Sequence, residues 1–72
     1  MKLADWMAAG ALTPEQLAKE LGVTGEAVRR YRAGARMPRV EQIAKIHELS
    51  GGLVTAQDFH EQRLAYLSPS AA

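Results

Sequence analysis

The 72-residue sequence contains no cysteine, which removes a disulfide framework, a cysteine-ligated zinc and a thiol nucleophile together. Aromatic residues make up only 6%, one Trp, two Tyr and one Phe, too few for the exposed platforms that stack single-stranded bases. Apolar runs are short and interrupted, far below the roughly 20 residues that a membrane span requires. Asp5 breaks the apolar start of the chain, so no targeting segment is expected. Period-2 alternation is missing and the β-branched residues are scattered, so no strand is expected either.

Catalytic constellations are equally scarce. Thr13, Thr24 and Thr55 stand at helix starts and Ser50 at a helix end, and none has a base at a spacing that would activate it. His47 and His60 share no metal-ligand spacing, and no glycine-rich phosphate loop is present. The expectation is a non-enzyme without metal or cofactor. The missing cysteine suits a reducing cytoplasm.

What is present is ordinary for a folded protein, at 47% hydrophobic and 24% charged. The length suits one small domain, expected over residues 1–67, with a core of roughly 3–5 kcal/mol net and a flexible tail over 68–72. The net charge of +1 conceals an asymmetry. Arg29, Arg30, Arg32, Arg36 and Arg39 fall within eleven residues that hold no acid. Four bases and eight acids make up the remainder. A protein divided in this way turns its basic side toward something anionic.

Helix signals run through the whole chain. Leu3, Trp6 and Met7 form the stripe of a short first helix ending before Gly10. Thr13-Pro14-Glu15-Gln16 combines a cap, a first-turn proline and a capping box for a second helix that stops at Gly22. Thr24 caps a third helix over Gly25 to Ala33, closed by Gly34. A fourth is predicted from Arg39 to Leu49, with Val40, Ile43, Ile46 and Leu49 inward, and a fifth from the Thr55–Asp58 capping box to about Leu67. The fold class is all-α, with five short helices.

The second and third helices carry the informative spacing. Ala18 precedes Gly22 by four residues, and Val28 and Tyr31 follow it by six and nine. A small residue lets two helices cross closely, a glycine takes the left-handed turn, and Val23, Val28 and Tyr31 fill the wedge between them. This is the helix-turn-helix spacing, whose second helix enters the major groove of DNA.

Leu17-Ala18-Lys19-Glu20-Leu21-Gly22-Val23-Thr24, Val28-Arg29-Arg30-Tyr31-Arg32-Ala33-Gly34 and Arg36-Met37-Pro38 together resemble the Cro and phage-repressor (XRE-like) family. The likeness runs from about Leu12 to Phe59, and Gly51-Gly52-Leu53-Val54-Thr55-Ala56-Gln57-Asp58 is similar to a stretch in short prophage-type regulators. It implies a five-helix domain that binds double-stranded DNA and regulates transcription, most often by repression, in a cytoplasmic, nucleoid-associated setting. The family's base-reading positions correspond to Gly25, Glu26 and Arg30, with Arg29 beside them. Glu26 is expected to orient Arg30 at i+4 or to accept from a cytosine amine. Thr24, Arg32, Arg36 and Arg39 are expected on phosphates. The family often begins its first motif helix with a glutamine that clamps a phosphate; Pro14 stands there instead, leaving Gln16 or the Glu15 amide as substitutes.

Leu64, Tyr66 and Leu67 exceed what the core needs and are expected to form a homodimer interface on the last helix. Glu15, Lys19 and Glu20, on the outer face of the second helix, are candidates for a contact with RNA polymerase. The alternative is a protein-interaction module, antitoxin-like or anti-regulator, with the same fold and no sequence-specific DNA binding.

Overall fold

A computed structural model describes residues 1–10 and 12–68, so most of the expected tail lies outside the described residues. The order is α1 (Leu3–Ala8), α2 (Pro14–Leu21), α3 (Gly25–Ala33), α4 (Val40–Leu49) and α5 (Ala56–Leu67). No strand occurs among the described residues.

Each helix start that carries a threonine is built as its sequence requires. Thr13 Oγ1 accepts from the Gln16 amide at 3.1 Å, and Gln16 Oε1 accepts from the Thr13 amide at 2.9 Å. Thr24 Oγ1 accepts from the Ala27 amide at 3.1 Å. At α5 the exchange is reciprocal: Asp58 N–H donates to Thr55 Oγ1 at 3.2 Å while Asp58 Oδ2 accepts from the Thr55 amide at 2.9 Å. These bonds satisfy amides that have no partner within the helix.

The core gathers Leu3, Trp6 and Met7 of α1, Leu17 and Ala18 of α2, and Ala27, Val28 and Tyr31 of α3. Ile46, Val54 and Phe59 close it from α4, its following loop and α5. The α2–α3 wedge is therefore the centre of the molecule. Gly22 takes φ +70° and its amide bonds the Ala18 carbonyl, which ends α2 and turns the chain into α3. Val23 and Leu21 pack against the core from its edge.

The fourth helix runs from Val40 to Leu49 with Arg39 as its cap, as its sequence roughly predicts, but one expectation is corrected: Val40 is 79% exposed rather than inward. Ile46 is fully buried and Ile43 and Leu49 half-buried, whereas Val40 sits in the first turn, beyond the edge of the core. Gln42 anchors this end of α4 instead. Its Oε1 accepts from the Arg39 amide at 3.0 Å and from the Tyr31 hydroxyl at 3.2 Å, joining α4 to the buried face of α3.

The α4–α5 connection turns on Ser50, a buried polar residue. Its hydroxyl donates to the His47 carbonyl at 3.1 Å and accepts from the Val54 amide at 3.0 Å. Val54 is thereby drawn into the core while Leu53 is left outside.

Candidate nucleic-acid interface

At about 100° per residue, the nine residues of α3 divide into three strips. Ala27, Val28 and Tyr31 are buried. Glu26, Arg30 and Ala33 point outward, and all three are exposed. Gly25, Arg29 and Arg32 run down the flank nearest the start of α2.

On the outer strip, Arg30 Nε lies 3.5 Å from Glu26 Oε1, the i,i+4 pair the spacing allows. The carboxylate lies beside the guanidinium on the helix surface, and both remain accessible to a ligand. On the flank, Arg29 pairs with Glu15, from the first turn of α2. This cross-helix contact joins residues fourteen apart, and spacing within one helix gives no sign of it. Gly25 makes room for it. A Cβ there would lie 3.0 Å from Glu15 Oε2 and 3.3 Å from an Arg29 terminal nitrogen. Glu15, Lys19 and Glu20 are all exposed on the outer face of α2, and Glu15 is in addition paired with α3.

The residues expected on phosphates divide between two grooves. Arg32 and Gln16 line one of about 310 Å³, with Thr13, Pro14 and residues of α1. Gln16 has its Oε1 committed to the capping box, which leaves its amide nitrogen as the group available to an anion. Thr24, Arg36 and Arg39 line the other, of about 340 Å³, between the α2–α3 turn and the α3–α4 loop. Ala27 and Tyr31 border this second groove from the opposite side of α3, so the outer strip lies between an edge with Arg32 and an edge with Arg36 and Arg39. The Tyr31 hydroxyl at this groove donates to Gln42 Oε1.

Gly34 closes α3 as its sequence position predicts, with φ +84° and its amide donating to the Arg30 and Tyr31 carbonyls. Sequence reasoning missed what braces this end from outside. From α5, Gln62 Nε2 donates to the Arg32 carbonyl. Arg63 donates to the carbonyls of Gly34 at 2.9 Å and Ala35 at 2.7 Å, and its guanidinium lies 5.6 Å from the centre of the Tyr66 ring. A cation is thus placed where the negative end of the α3 dipole emerges. The separations of 28 to 30 residues leave no local signal.

A family model described as helix-turn-helix matches residues 3–49, about two-thirds of the chain. The chain belongs to the helix-turn-helix family of the Cro and phage-repressor type. This is a family of DNA-binding regulators and not of enzymes. No curated protein and no solved structure matches the chain. The matched span contains α1 to α4, hence the wedge, the arginine cluster and both grooves, and stops short of α5. No described helix is long and apolar enough to cross a membrane.

Proposed function

We infer that this regulator reads a specific double-stranded DNA sequence with the outer strip of α3 in the major groove and represses transcription by occupying its site. The observation that carries the reading is the placing of Arg32 with Gln16 on one side of Glu26 and Arg30 and of Thr24, Arg36 and Arg39 on the other, since a helix in the major groove meets a phosphate backbone on each side. Arg30 donates to a guanine edge, worth roughly 1–3 kcal/mol of discrimination, with Glu26 holding it extended. Thr24, Arg36 and Arg39 hold one strand, and Arg32 with Gln16 holds the other. Gly25 keeps the first turn narrow, so few base contacts arise per subunit and phosphates supply much of the affinity.

A homodimer through α5 doubles those contacts. Leu64, Tyr66 and Leu67 are each more than half exposed, at 55%, 56% and 56%, which supports α5 as the surface that pairs. Two-fold symmetry then presents two recognition helices to half-sites about 34 Å apart. A prophage-type setting and occupancy of the bacterial nucleoid accord with this reading.

The test is selection from random duplex DNA at near-physiological salt, where the arginines alone cannot hold any duplex. Enrichment of an inverted repeat with centres one helical turn apart is expected. Arg30→Ala should relax the preference at one position of each half-site. If no sequence is enriched, and Leu64→Asp abolishes activity in cells where Arg30→Ala leaves it intact, the protein-interaction module replaces the DNA reader. Reporter output from its own promoter that rises with the protein would overturn repression in favour of activation, with Lys19 and Glu20 as the surface to test against polymerase.

A further inference from the structure

The loop between α3 and α4 carries Arg36 and Arg39, and its two ends are held by different means. At the far end α4 is the anchor. The Arg39 amide donates to Gln42 Oε1 at 3.0 Å, and the Arg39 carbonyl accepts from the Gln42 and Ile43 amides at 3.0 and 2.9 Å. At the near end the Ala35 and Arg36 amides turn back to the Arg30 carbonyl, at 3.0 and 3.4 Å. The carbonyls of Gly34 and Ala35 both meet a single terminal nitrogen of Arg63, at 2.9 and 2.7 Å. Arg63 comes from α5 and is half-buried, with its guanidinium 5.6 Å from the centre of the Tyr66 ring. The Arg36 side chain is exposed, and among the described residues no carboxylate pairs with it.

We propose that Arg63 is a positioning residue for DNA binding, which acts on a phosphate through Arg36 and makes no contact with the DNA itself. The two carbonyls belong to the peptide planes on either side of Ala35, and the second of those planes carries the nitrogen of Arg36. Holding both planes sets the direction in which the Arg36 side chain leaves the backbone. Without the donor, the two carbonyls turn to water and the planes rotate among several conformations, of which only some present Arg36 to a phosphate. A loop that is competent about one-fifth of the time loses about fivefold in apparent affinity, because binding must then order it. Arg39 is spared this loss, since α4 fixes its backbone independently. The donor nitrogen of Arg63 is spent on two carbonyls, which suits it to holding the loop more than to holding a phosphate.

This inference rests on the DNA-binding reading above, and the experiment separates the two. Binding to a duplex obtained by selection is followed by fluorescence anisotropy over a salt series, at a temperature where circular dichroism shows every protein folded. Arg63→Met should weaken binding about fivefold. It should cost no more than Arg36→Ala, which gives up one phosphate contact and about eightfold in affinity at 0.1 M salt. In the Arg36→Ala background, Arg63→Met should change affinity by less than about twofold and leave the salt slope unaltered. In the Arg39→Ala background it should keep its full effect. Arg63→Lys retains a donor on a shorter stem and should recover part of the loss. Ile46→Val loosens the core away from the loop and should bind as the wild type does, which separates positioning from lost stability. An Arg63→Met effect that persists undiminished in the Arg36→Ala background, with a further fall in slope of about 0.9, would make Arg63 a phosphate contact in its own right and overturn the proposal. So would an Arg63→Met protein that binds as the wild type does, an equal loss in Ile46→Val, or an Arg36→Ala protein with undiminished affinity. A wild type that binds no duplex even at low salt would instead overturn the DNA reading.

Discussion

Two left-handed glycines border the recognition helix, and their surroundings make them unequal. Around Gly22 nothing lies within 4 Å of where a Cβ would be, so Gly22→Ala bears only the left-handed penalty of roughly 1–2 kcal/mol. At Gly34 the same Cβ would meet the Gln62 carbonyl oxygen at 2.9 Å and Tyr66 Cβ at 3.3 Å, because α5 passes directly over it. Gly34→Ala therefore adds a backbone clash to the strain and is expected to cost roughly 2–4 kcal/mol, most of what a domain this small possesses. Urea unfolding of the two variants should show the difference as a much lower midpoint for Gly34→Ala. Asp58 makes a different kind of contribution. The Thr55 amide, above all, holds its carboxyl below the ordinary value of 3.8, helped by the amino group of Met1 at 3.0 Å. A carboxyl whose pKa falls on folding stabilises the fold fully above about pH 4, and that contribution drains away as the pH drops through the lower, folded value. Asp58→Asn should accordingly flatten the acid limb of stability below about pH 4, read from Trp6 fluorescence at fixed urea concentration.

At the scale of elements, α5 is a brace for α3 as much as a wall of the core. Phe59 fills the core, while Gln62 and Arg63, one turn further on, hold the carbonyls at the end of the recognition helix and the start of the basic loop. Arg63→Met keeps the apolar stem and removes both bonds, leaving the Gly34 and Ala35 carbonyls without this donor. A loss of roughly 1–2 kcal/mol is expected, the charged-donor value reduced for partial exposure. Hydrogen exchange should accelerate chiefly at the end of α3 and through residues 34–39, leaving α1 protected. Gln62 gives a useful contrast, since its Oε1 is buried with no partner among the described residues. Gln62→Leu loses one hydrogen bond and also removes that orphaned acceptor, so its cost should be below about 1 kcal/mol. Equal losses for the two variants would show that apolar packing, and not the hydrogen bonds of Arg63, holds α5 to α3.

For the whole molecule, the arginines surround α3, and the exposed apolar residues Leu64, Tyr66 and Leu67 gather toward the end of α5, where Tyr66 lies against Gly34 at the end of α3. Pairing through α5 would leave both recognition helices free. Sedimentation is expected to show a dimer at micromolar concentration, and Leu64→Asp, at an exposed position, should yield a folded monomer with unchanged thermal unfolding of the subunit. A protein that sediments as a monomer well above micromolar concentration, with and without its DNA, would contradict the dimer. Each arginine proposed to hold a phosphate has a signature as well. Arg36→Ala should weaken binding to every duplex alike and lower the salt slope by about 0.9, in contrast to the position-specific effect of Arg30→Ala.

Helix boundaries, caps and the wedge of Ala18, Gly22, Val28 and Tyr31 were legible in the residues because each is a local matter. A threonine or glycine acts on amides and carbonyls within four residues of itself, and a helical stripe repeats within two turns. The Glu26–Arg30 pair belongs to the same class. Tertiary structure decided the rest. Val40 satisfies the helical stripe but lies past the edge of the core, and periodicity along one helix carries no measure of how far its neighbours extend. The division of the phosphate candidates between two grooves depends on α1, α2 and α4 all packing around α3. The Glu15–Arg29 crossing, the space left by Gly25 and the grip of Gln62 and Arg63 on the end of α3 join residues fourteen to thirty positions apart. Such contacts exist only once the chain has closed on itself, because their geometry is set by how whole helices pack.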